Sequence, residues 1–332
     1  MQTSHFDYDL PKHAIAQTPS NPRDSSRLLV DSEIVQHKFV RDLPSLVRPG
    51  DTLVVNDTRV MQARVKLFKE TGGAVEILVL HEITKGGWWE ALIKPSRKVP
   101  TGSHLFDSSG KSQIEVGKVH RDGIRLVKAT THSMDEVLTK YGTVPLPPYI
   151  TTELTDGERY QTVFANRETS VAAPTAGLHL TQSILDKCQA AGANITSVDL
   201  SVGLGTFRPM ETALIDDHSM HEERYQISQE TWNTCLKADR VIAIGTTVVR
   251  ALESAAATGE LVGTTDLFIT PGFEFQVVNG LLTNFHLPRS TLLVMIEAFL
   301  GTRWRELYSI ALKEEYRFLS FGDAMFLQGP SG

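Results

Sequence analysis

The sequence predicts an α/β protein in two parts, a mixed α/β domain around a parallel sheet and a smaller β-rich module, on three observations. Arg240 to Ile244 (RVIAI) is a buried strand that runs through Gly245-Thr246-Thr247 into a helix over Val248 to Ala257, the strand-then-helix order of a βαβ unit. From Ala63 to about Thr130 the pattern is period-two alternation broken by Gly72-Gly73, Gly86-Gly87 and Asp122-Gly123, the punctuation of successive hairpins. At 332 residues the chain exceeds what one hydrophobic core ordinarily organises.

Along the chain, Asp51 to Val55 (DTLVV) reads as a buried strand entering an Asx-type turn at Asn56-Asp57-Thr58-Arg59. After the hairpins, Val144-Pro145-Leu146-Pro147-Pro148-Tyr149 is stiff and extended, because proline excludes helix at and before its own position; it is expected to be a return strap between domains. Beyond Glu158 helices alternate with strands. Thr181 caps a helix over Gln182 to Ala191 that Gly192 stops, and Asn194 to Val202 is a strand ending in Gly203-Leu204-Gly205-Thr206. Asp266 to Thr270 returns as the second strand of the βαβ unit, Val278-Asn279-Gly280-Leu281 marks a hairpin, and Ser290 caps an apolar helix to Leu300. In such a sheet, ligands gather at the carboxyl ends of the strands.

An apolar content of 41% and a charged content of 22% are those of a soluble globular protein. The N-terminal stretch lacks the apolar segment of a secretory signal, and the longest apolar run, Thr291 to Leu300, is too short to span a bilayer and carries Glu297. Cys188 and Cys235 have neither metal-ligand spacing nor the density of a disulfide framework. These features predict a cytoplasmic protein with no membrane partner and no bound metal. The net charge of −6 is unevenly divided, with +4 over residues 61–150 and −10 over the remainder. That split suits a module facing a polyanion beside a domain that binds something neutral or cationic, although an ordinary solvated face has the same composition.

Five segments carry candidate chemistry. Val171 to Thr181 (VAAPTAGLHLT) sets a proline, small residues, Gly177 and His179 ahead of a helix, which brings backbone N–H groups and an imidazole together; its plainer reading is a turn with a buried histidine. Gly203 to Phe207 and Gly245 to Thr247 follow strands, yet neither completes a phosphate-binding loop. His218, His221, Glu222 and Glu223 offer acids and a base, without the order of a zinc protease, or else form an exposed acidic stretch. Thr283 to Pro288 (TNFHLP) holds Asn284, Phe285 and His286 side by side, a trio able to hold a purine; equally, Phe285 is core and His286 bonds a carbonyl. In the β-rich module one of Trp88 and Trp89 is available to stack on a base, since the other must face inward on a strand.

In order along the chain, NDTRV (Asn56 to Val60), VPLPPYI (Val144 to Ile150), YQTVF (Tyr160 to Phe164), AAPTAGLH (Ala172 to His179), GTTVVRALES (Gly245 to Ser254), Pro271-Gly272-Phe273, TNFHLPRST (Thr283 to Thr291) and YRFLSFGDAMF (Tyr316 to Phe326) resemble the bacterial S-adenosylmethionine:tRNA ribosyltransferase-isomerases of queuosine biosynthesis. The resemblance spans almost the whole chain and implies a discontinuous larger α/β domain, residues 1–60 and 151–332, with a smaller basic β-barrel, residues 61–150, inserted into it. It also implies the reaction. Enzymes of this family move the ribosyl part of S-adenosylmethionine onto the aminomethyl group of a 7-deazaguanine at the tRNA wobble position, rearranging the sugar to an epoxycyclopentanediol while adenine and methionine leave.

That chemistry asks for particular residues. The sulfonium acidifies the neighbouring C5′ protons, so a base is required; His179 and His221 are the candidates, with Glu222 and Asp199 as acidic alternatives. Asn284 and His286 are partners for the departing adenine, beside Phe285. Amides of the Pro174, Thr175, Ala176, Gly177 loop and of Gly245, Thr246, Thr247, together with Gly205 and Thr206, complete the substrate-binding set. Arg59, Arg64, Lys66, Lys69, Lys94, Arg97 and Lys98 would meet an anticodon stem-loop. S-adenosylmethionine is then a co-substrate, with no tightly bound cofactor, and a monomer is expected. Two other readings remain at this point: a non-catalytic tRNA-binding factor on the same scaffold, and a nucleotide-dependent enzyme of small-molecule metabolism that leaves the basic module unexplained.

Overall fold

The computed structural model describes residues 1–84, 87–121, 123–203 and 209–329. The chain forms two compact units, Met1–Arg59 with Pro147–Gly332, and Val60–Leu146. The larger unit is built on a nine-stranded sheet. Its strands in chain order are β1 (Arg27–Val30), β2 (Gln36–Phe39), β3 (Asp51–Asn56), β4 (Asn194–Leu200), β5 (Glu223–Ile227), β6 (Arg240–Ile244), β7 (Val262–Thr265), β8 (Gly280–Asn284) and β9 (Ala324–Gln328). They lie side by side as β7-β5-β4-β3-β6-β8-β9-β1-β2. The middle is parallel: β3 pairs with β4 and β6, and β6 with β8, all running the same way. Outside it, β5 and β7 are antiparallel additions on one side, and β9 turns against β8 on the other.

Alternation along these strands divides two cores. Leu53, Val55, Ile242, Ile244, Leu282 and Phe326 face one side, and Val54, Val198, Val241, Ala243, Leu281 and Met325 the other. Because both faces are covered, β3 is buried at every residue, and its centre, Leu53-Val54-Val55, is continuously apolar instead of alternating. Helix α1 (Gln182–Ala190) covers the first face through Ile184, Leu185 and Cys188. Helices α2 (Gln229–Lys237), α3 (Thr246–Thr258), α4 (Thr291–Leu300) and α5 (Trp304–Lys313) lie on the other. Thr181 and Ser290 accept from the backbone N–H groups of Ile184 and Leu293, as N-cap side chains should.

Two sequence expectations are corrected. Asp266 to Thr270 is not a strand: the Arg250 guanidinium donates to the carbonyls of Thr265 and Leu267, and the Thr265 hydroxyl accepts from the Leu267 N–H, so side chains take the bonds that a ladder would use. Val278 to Leu281 is not a hairpin turn. The Asn279 side chain accepts from the Val241 N–H, extending the pairing at the start of β6, and Gly280 opens β8 parallel to it. The helix of the βαβ unit therefore crosses from β6 to β8 and not to Asp266–Thr270. A buried pair ties α3 to β5: Arg250 bonds Glu223, whose other carboxylate oxygen accepts from the Gly203 N–H at 2.8 Å.

The smaller unit holds a seven-stranded antiparallel sheet in the order Gly142–Thr143, Arg64–Lys69, Ala74–Thr84, Trp88–Lys94, Ile124–Ala129, Ser112–Arg121, His104–Phe106. The last of these also pairs back to Arg64–Lys69, at Phe68 with Phe106 and Lys69 with Leu105. Val65, Leu67, Ile77, Val79, Ile93, Ile114 and Val127 form its core under a helix over Met134–Tyr141. Both Trp88 and Trp89 are half-buried. Opposite the core, Lys66 and Lys94 flank Glu76 across three neighbouring strands.

Replacing Arg250 by Met leaves the buried Glu223 carboxylate without its counter-ion, and the larger unit is expected to lose about 3–5 kcal/mol. Urea unfolding of Arg250→Met against the parent protein measures this; a loss under about 1 kcal/mol would mean that the pair is not sustained in solution.

Candidate active site

The carboxyl ends of β3, β6 and β8 come together where ligands collect in parallel sheets. β6 runs into Gly245, whose φ of +101° is a conformation side chains rarely adopt, and the chain turns there directly into α3. No side chain caps that helix, so the first-turn amides at Thr246 and Thr247 remain available beside the site. β8 ends at Asn284, against the short helical turn Thr175–His179. Gly177 lies where a Cβ would come within 2.8 Å of the Phe164 ring, so only a glycine lets this turn pack so close. Between these ends opens a small concavity of about 50 Å³ that continues into open solvent.

The walls carry neutral hydrogen-bonding groups. Pro174, Thr175, Ala176, Gly245, Thr246, Thr247, Asn284, Phe285 and His286 all border the cavity, and Tyr149, Thr283 and Ser320 join them. Asn284 is locked. Its carbonyl oxygen accepts from Thr175 at 2.8 Å, while its NH₂ donates to His179 Nε2 at 2.9 Å and to the Asp323 carbonyl at 3.4 Å. Because Nε2 accepts, the His179 proton sits on Nδ1 and is directed at Ser26 Oγ, 3.0 Å away, which in turn meets Ser20 Oγ at 2.9 Å. Burial, reinforced by Arg317 and Arg23, lowers the His179 pKa to about 3, so the ring is neutral.

His286 is held from three directions. Its N–H donates to Tyr308 at 2.9 Å, its carbonyl accepts from Tyr8, and ring Nε2 pairs with the Thr283 hydroxyl at 3.1 Å. The contact engages Nε2 and leaves Nδ1 without a partner among the described residues; in the tautomer in which Nε2–H donates to Thr283, Nδ1 carries the lone pair. Burial lowers this ring's pKa to about 3 as well. Asn56, at the end of β3, donates to the Leu200 carbonyl and to Thr247 Oγ1 at 3.3 Å, which anchors one wall.

The expected residues separate accordingly. His179 lies behind Asn284 and does not border the cavity; Gly177 is buried beside it, its N–H already donated to Pro174. His221 and Glu222 are exposed ahead of β5, and Asp199 sits on β4 within 3.8 Å of Arg167; none of the three borders the cavity. Gly205 and Thr206 lie outside the described residues. Phe285 is fully buried and stacked on Phe318 at 4.7 Å, so its ring serves the core rather than offering a face to a purine. Arg59 pairs with Glu158 and Glu168 in the larger unit. In the smaller unit Arg64 is half-buried and bonds the Leu146 carbonyl, while Lys66, Lys94, Arg97 and Lys98 are exposed. Sequence reasoning passed over Tyr149, Ser320 and Asn56, although each stands in a segment quoted for the family resemblance; nothing local distinguishes them from neighbouring polar residues.

Fold and site define a mixed α/β protein with a ligand cavity at the ends of its parallel strands. The chain belongs to the queuosine biosynthesis protein family, whose model matches residues 3–327. It is 46% identical to an S-adenosylmethionine:tRNA ribosyltransferase-isomerase of Rubrobacter xylanophilus over 99% of this chain and 98% of that one. To the enzyme of the same name from Staphylococcus haemolyticus it is also 46% identical, over 98% of this chain and 100% of that one. The crystal structure of the Thermotoga maritima S-adenosylmethionine tRNA ribosyltransferase superposes with a TM-score of 0.55 at 34% identity, covering 97% of this chain and 99% of that one.

Both buried histidines make stability depend on pH. Unfolding releases them to the ordinary value of 6.5 from about 3, so the unfolded chain binds more protons and stability falls as pH drops below about 6.5. Between pH 7.5 and 5.5, urea titrations should lose about 1.4 kcal/mol for each ring. His179→Asn should remove one share of that dependence, and a flat midpoint over this window would contradict it.

Proposed function

We propose that this chain transfers and isomerises the ribosyl moiety of S-adenosylmethionine onto 7-aminomethyl-7-deazaguanine at the tRNA wobble position, giving epoxyqueuosine-tRNA with release of adenine and methionine. It is an S-adenosylmethionine:tRNA ribosyltransferase-isomerase of queuosine biosynthesis. What carries the reading is one cavity in which AAPTAGLH, GTTVV and TNFH meet, lined by groups that can hold a nucleoside.

The co-substrate's carboxylate suits the uncapped amides of Thr246 and Thr247 at the start of α3. Among the described residues lining the cavity, His286 and Tyr149 are the titratable ones. We assign the C5′ proton to Nδ1 of His286, whose other nitrogen is engaged by Thr283 and whose ring is neutral at working pH. Desolvation weakens this base, and the positive sulfur beside the carbon compensates by acidifying the C–H bond. His179 acts through Asn284 in this assignment, and His221, Glu222 and Asp199 have no part in the proton transfer. The chemistry as written uses no metal.

We read the smaller unit as a barrel, supported by the second pairing of Arg64–Lys69 with His104–Phe106. Its exposed Lys66, Lys94, Arg97 and Lys98, with Arg64 and Lys69, would take the anticodon stem-loop phosphates, and Arg59 would assist from the larger unit. The protein would act as a cytoplasmic monomer; among the described residues no helix is long and apolar enough to cross a membrane.

Incubation with S-adenosylmethionine and an anticodon stem-loop carrying the aminomethyl deazaguanine should release adenine, and the ordinary guanine stem-loop should release none. A non-catalytic factor would bind the RNA without releasing adenine, and formation of S-adenosylhomocysteine would overturn the reading. His286→Ala should lower kcat by about 100-fold or more, while His221→Ala and Glu222→Gln stay within about threefold of the parent, as read by adenine release under saturating substrates. Stem-loop affinity should fall steeply with salt, and Lys94→Ala or Arg97→Ala should reduce the slope of log K against log[salt] by about 0.7–0.9 for each phosphate no longer neutralised.

A further inference from the structure

Two polar residues on the cavity wall have no role in the chemistry above. Tyr149 follows the Pro147-Pro148 pair of the PLPPY segment, and Ser320 lies between β9 and the helix α5 that precedes it. Their side chains meet at 2.7 Å, and both border the cavity. Either oxygen can donate in this contact, and the Ser320 side chain and backbone both favour charge on the phenol oxygen.

The pair is rigidly built. Gln17 donates to the Tyr149 carbonyl at 3.0 Å and accepts from the Thr151 N–H at 2.9 Å, which fixes the backbone on either side of Ile150. Leu319 adopts a φ of +68°, rare for a leucine, and its N–H donates to the Phe285 carbonyl at 3.2 Å. That conformation sets Ser320 on the wall next to the end of β8, and a side chain kept at such a backbone cost points to function. Burial raises the phenol's pKa above its ordinary value, so the oxygen keeps its proton until a strong acceptor arrives.

We propose that Tyr149 is the catalytic proton donor to the departing adenine, with Ser320 as the positioning residue that stabilises the resulting phenolate. As the bond between the ribose C1′ and the purine nitrogen breaks, its electron pair stays on adenine and the Tyr149 proton passes to a ring nitrogen. The phenolate is then held by the Ser320 hydroxyl and amide. When the aminomethyl nitrogen of the RNA bonds to C1′, it sheds one proton, and that proton restores the phenol. Protons and electrons balance with no added reagent, and the two acid–base tasks of the cavity fall to different residues, His286 on carbon and Tyr149 on nitrogen.

This inference rests on the ribosyl transfer proposed above, so adenine release by the parent protein is the control: its absence would sink that reading, independently of Tyr149. With the control satisfied, Tyr149→Phe should lower kcat by about 100-fold with KM for S-adenosylmethionine within about threefold. Ser320→Ala should lower kcat by a smaller factor, and the double variant should be no slower than Tyr149→Phe alone. The distinguishing measurement uses a co-substrate bearing 2-fluoroadenine, an electron-poor base that leaves with less help from an acid. The Tyr149→Phe deficit should shrink at least tenfold with this analogue. An equal deficit with both purines would assign the phenol a structural role and overturn the proposal, as would a Tyr149→Phe enzyme that keeps more than a third of the parent kcat. Comparing two purines within one variant cancels any loss of folded protein.

Discussion

The orientation of the Asn284 carboxamide governs the site. An amide has distinct donor and acceptor ends, and here every neighbour agrees on which is which: Thr175 donates to the oxygen, and the NH₂ group meets the Asp323 carbonyl and His179 Nε2. The second layer behind it, His179, Ser26 and Ser20, continues into the Arg317 guanidinium. A neutral His179 is a condition of this arrangement, since an imidazolium would have no acceptor nitrogen to offer. Burial supplies that neutrality, and the nearby Arg317 and Arg23 reinforce it.

Buried aromatic rings hold the other half of the site. Phe285 stacks on Phe318 and meets Tyr308 and Tyr316 edge-on, so the residue between Asn284 and His286 is clamped in the core. Tyr308 and Tyr8 then use their hydroxyls to take up both backbone groups of His286. Packing and hydrogen bonding thus act on the same tripeptide, leaving little freedom to the two side chains that border the cavity. Rigid support of this kind is what positioning chemistry requires, because small displacements of a reacting group are costly in rate.

Charge is arranged in the opposite way from many enzyme sites. The buried ion pair of the larger unit, Arg250 with Glu223, is used to join α3 to β5, and no carboxylate borders the cavity among the described residues. The polar groups on its walls are hydroxyls, an amide, an imidazole and backbone N–H groups, set among apolar residues such as Val202, Leu287 and Leu292. In the reaction proposed above, a cation bound within such walls would stay reactive, whereas a nearby carboxylate would stabilise the sulfonium and blunt the acidity of its neighbouring C–H bonds.

Local patterns determined much of this protein. Capping at Thr181 and Ser290, the buried strands at Asp51 and Arg240, and the hairpin turns of the basic module are all short-range signals, and a strand–turn–helix at Gly245 is enough to locate a ligand end. The segments that meet in the cavity were legible too, because proline and glycine mark turns and the histidines and asparagine beside them add groups able to bind. Partnering was not. Whether Asp266–Thr270 continues as a strand depends on an arginine of the preceding helix, and Asn279-Gly280 reads as a turn until Val241 occupies the asparagine's oxygen. The same limit separates His179 from His286: both sit in polar, turn-rich segments, and only the fold puts one behind an amide and the other on the cavity wall. Tyr149 and Ser320 lie 171 residues apart. A segment's own residues determine which groups it carries and how its backbone runs, but which nitrogen is spent on a neighbour and which is left for substrate is set by long-range contacts that no window of the chain contains.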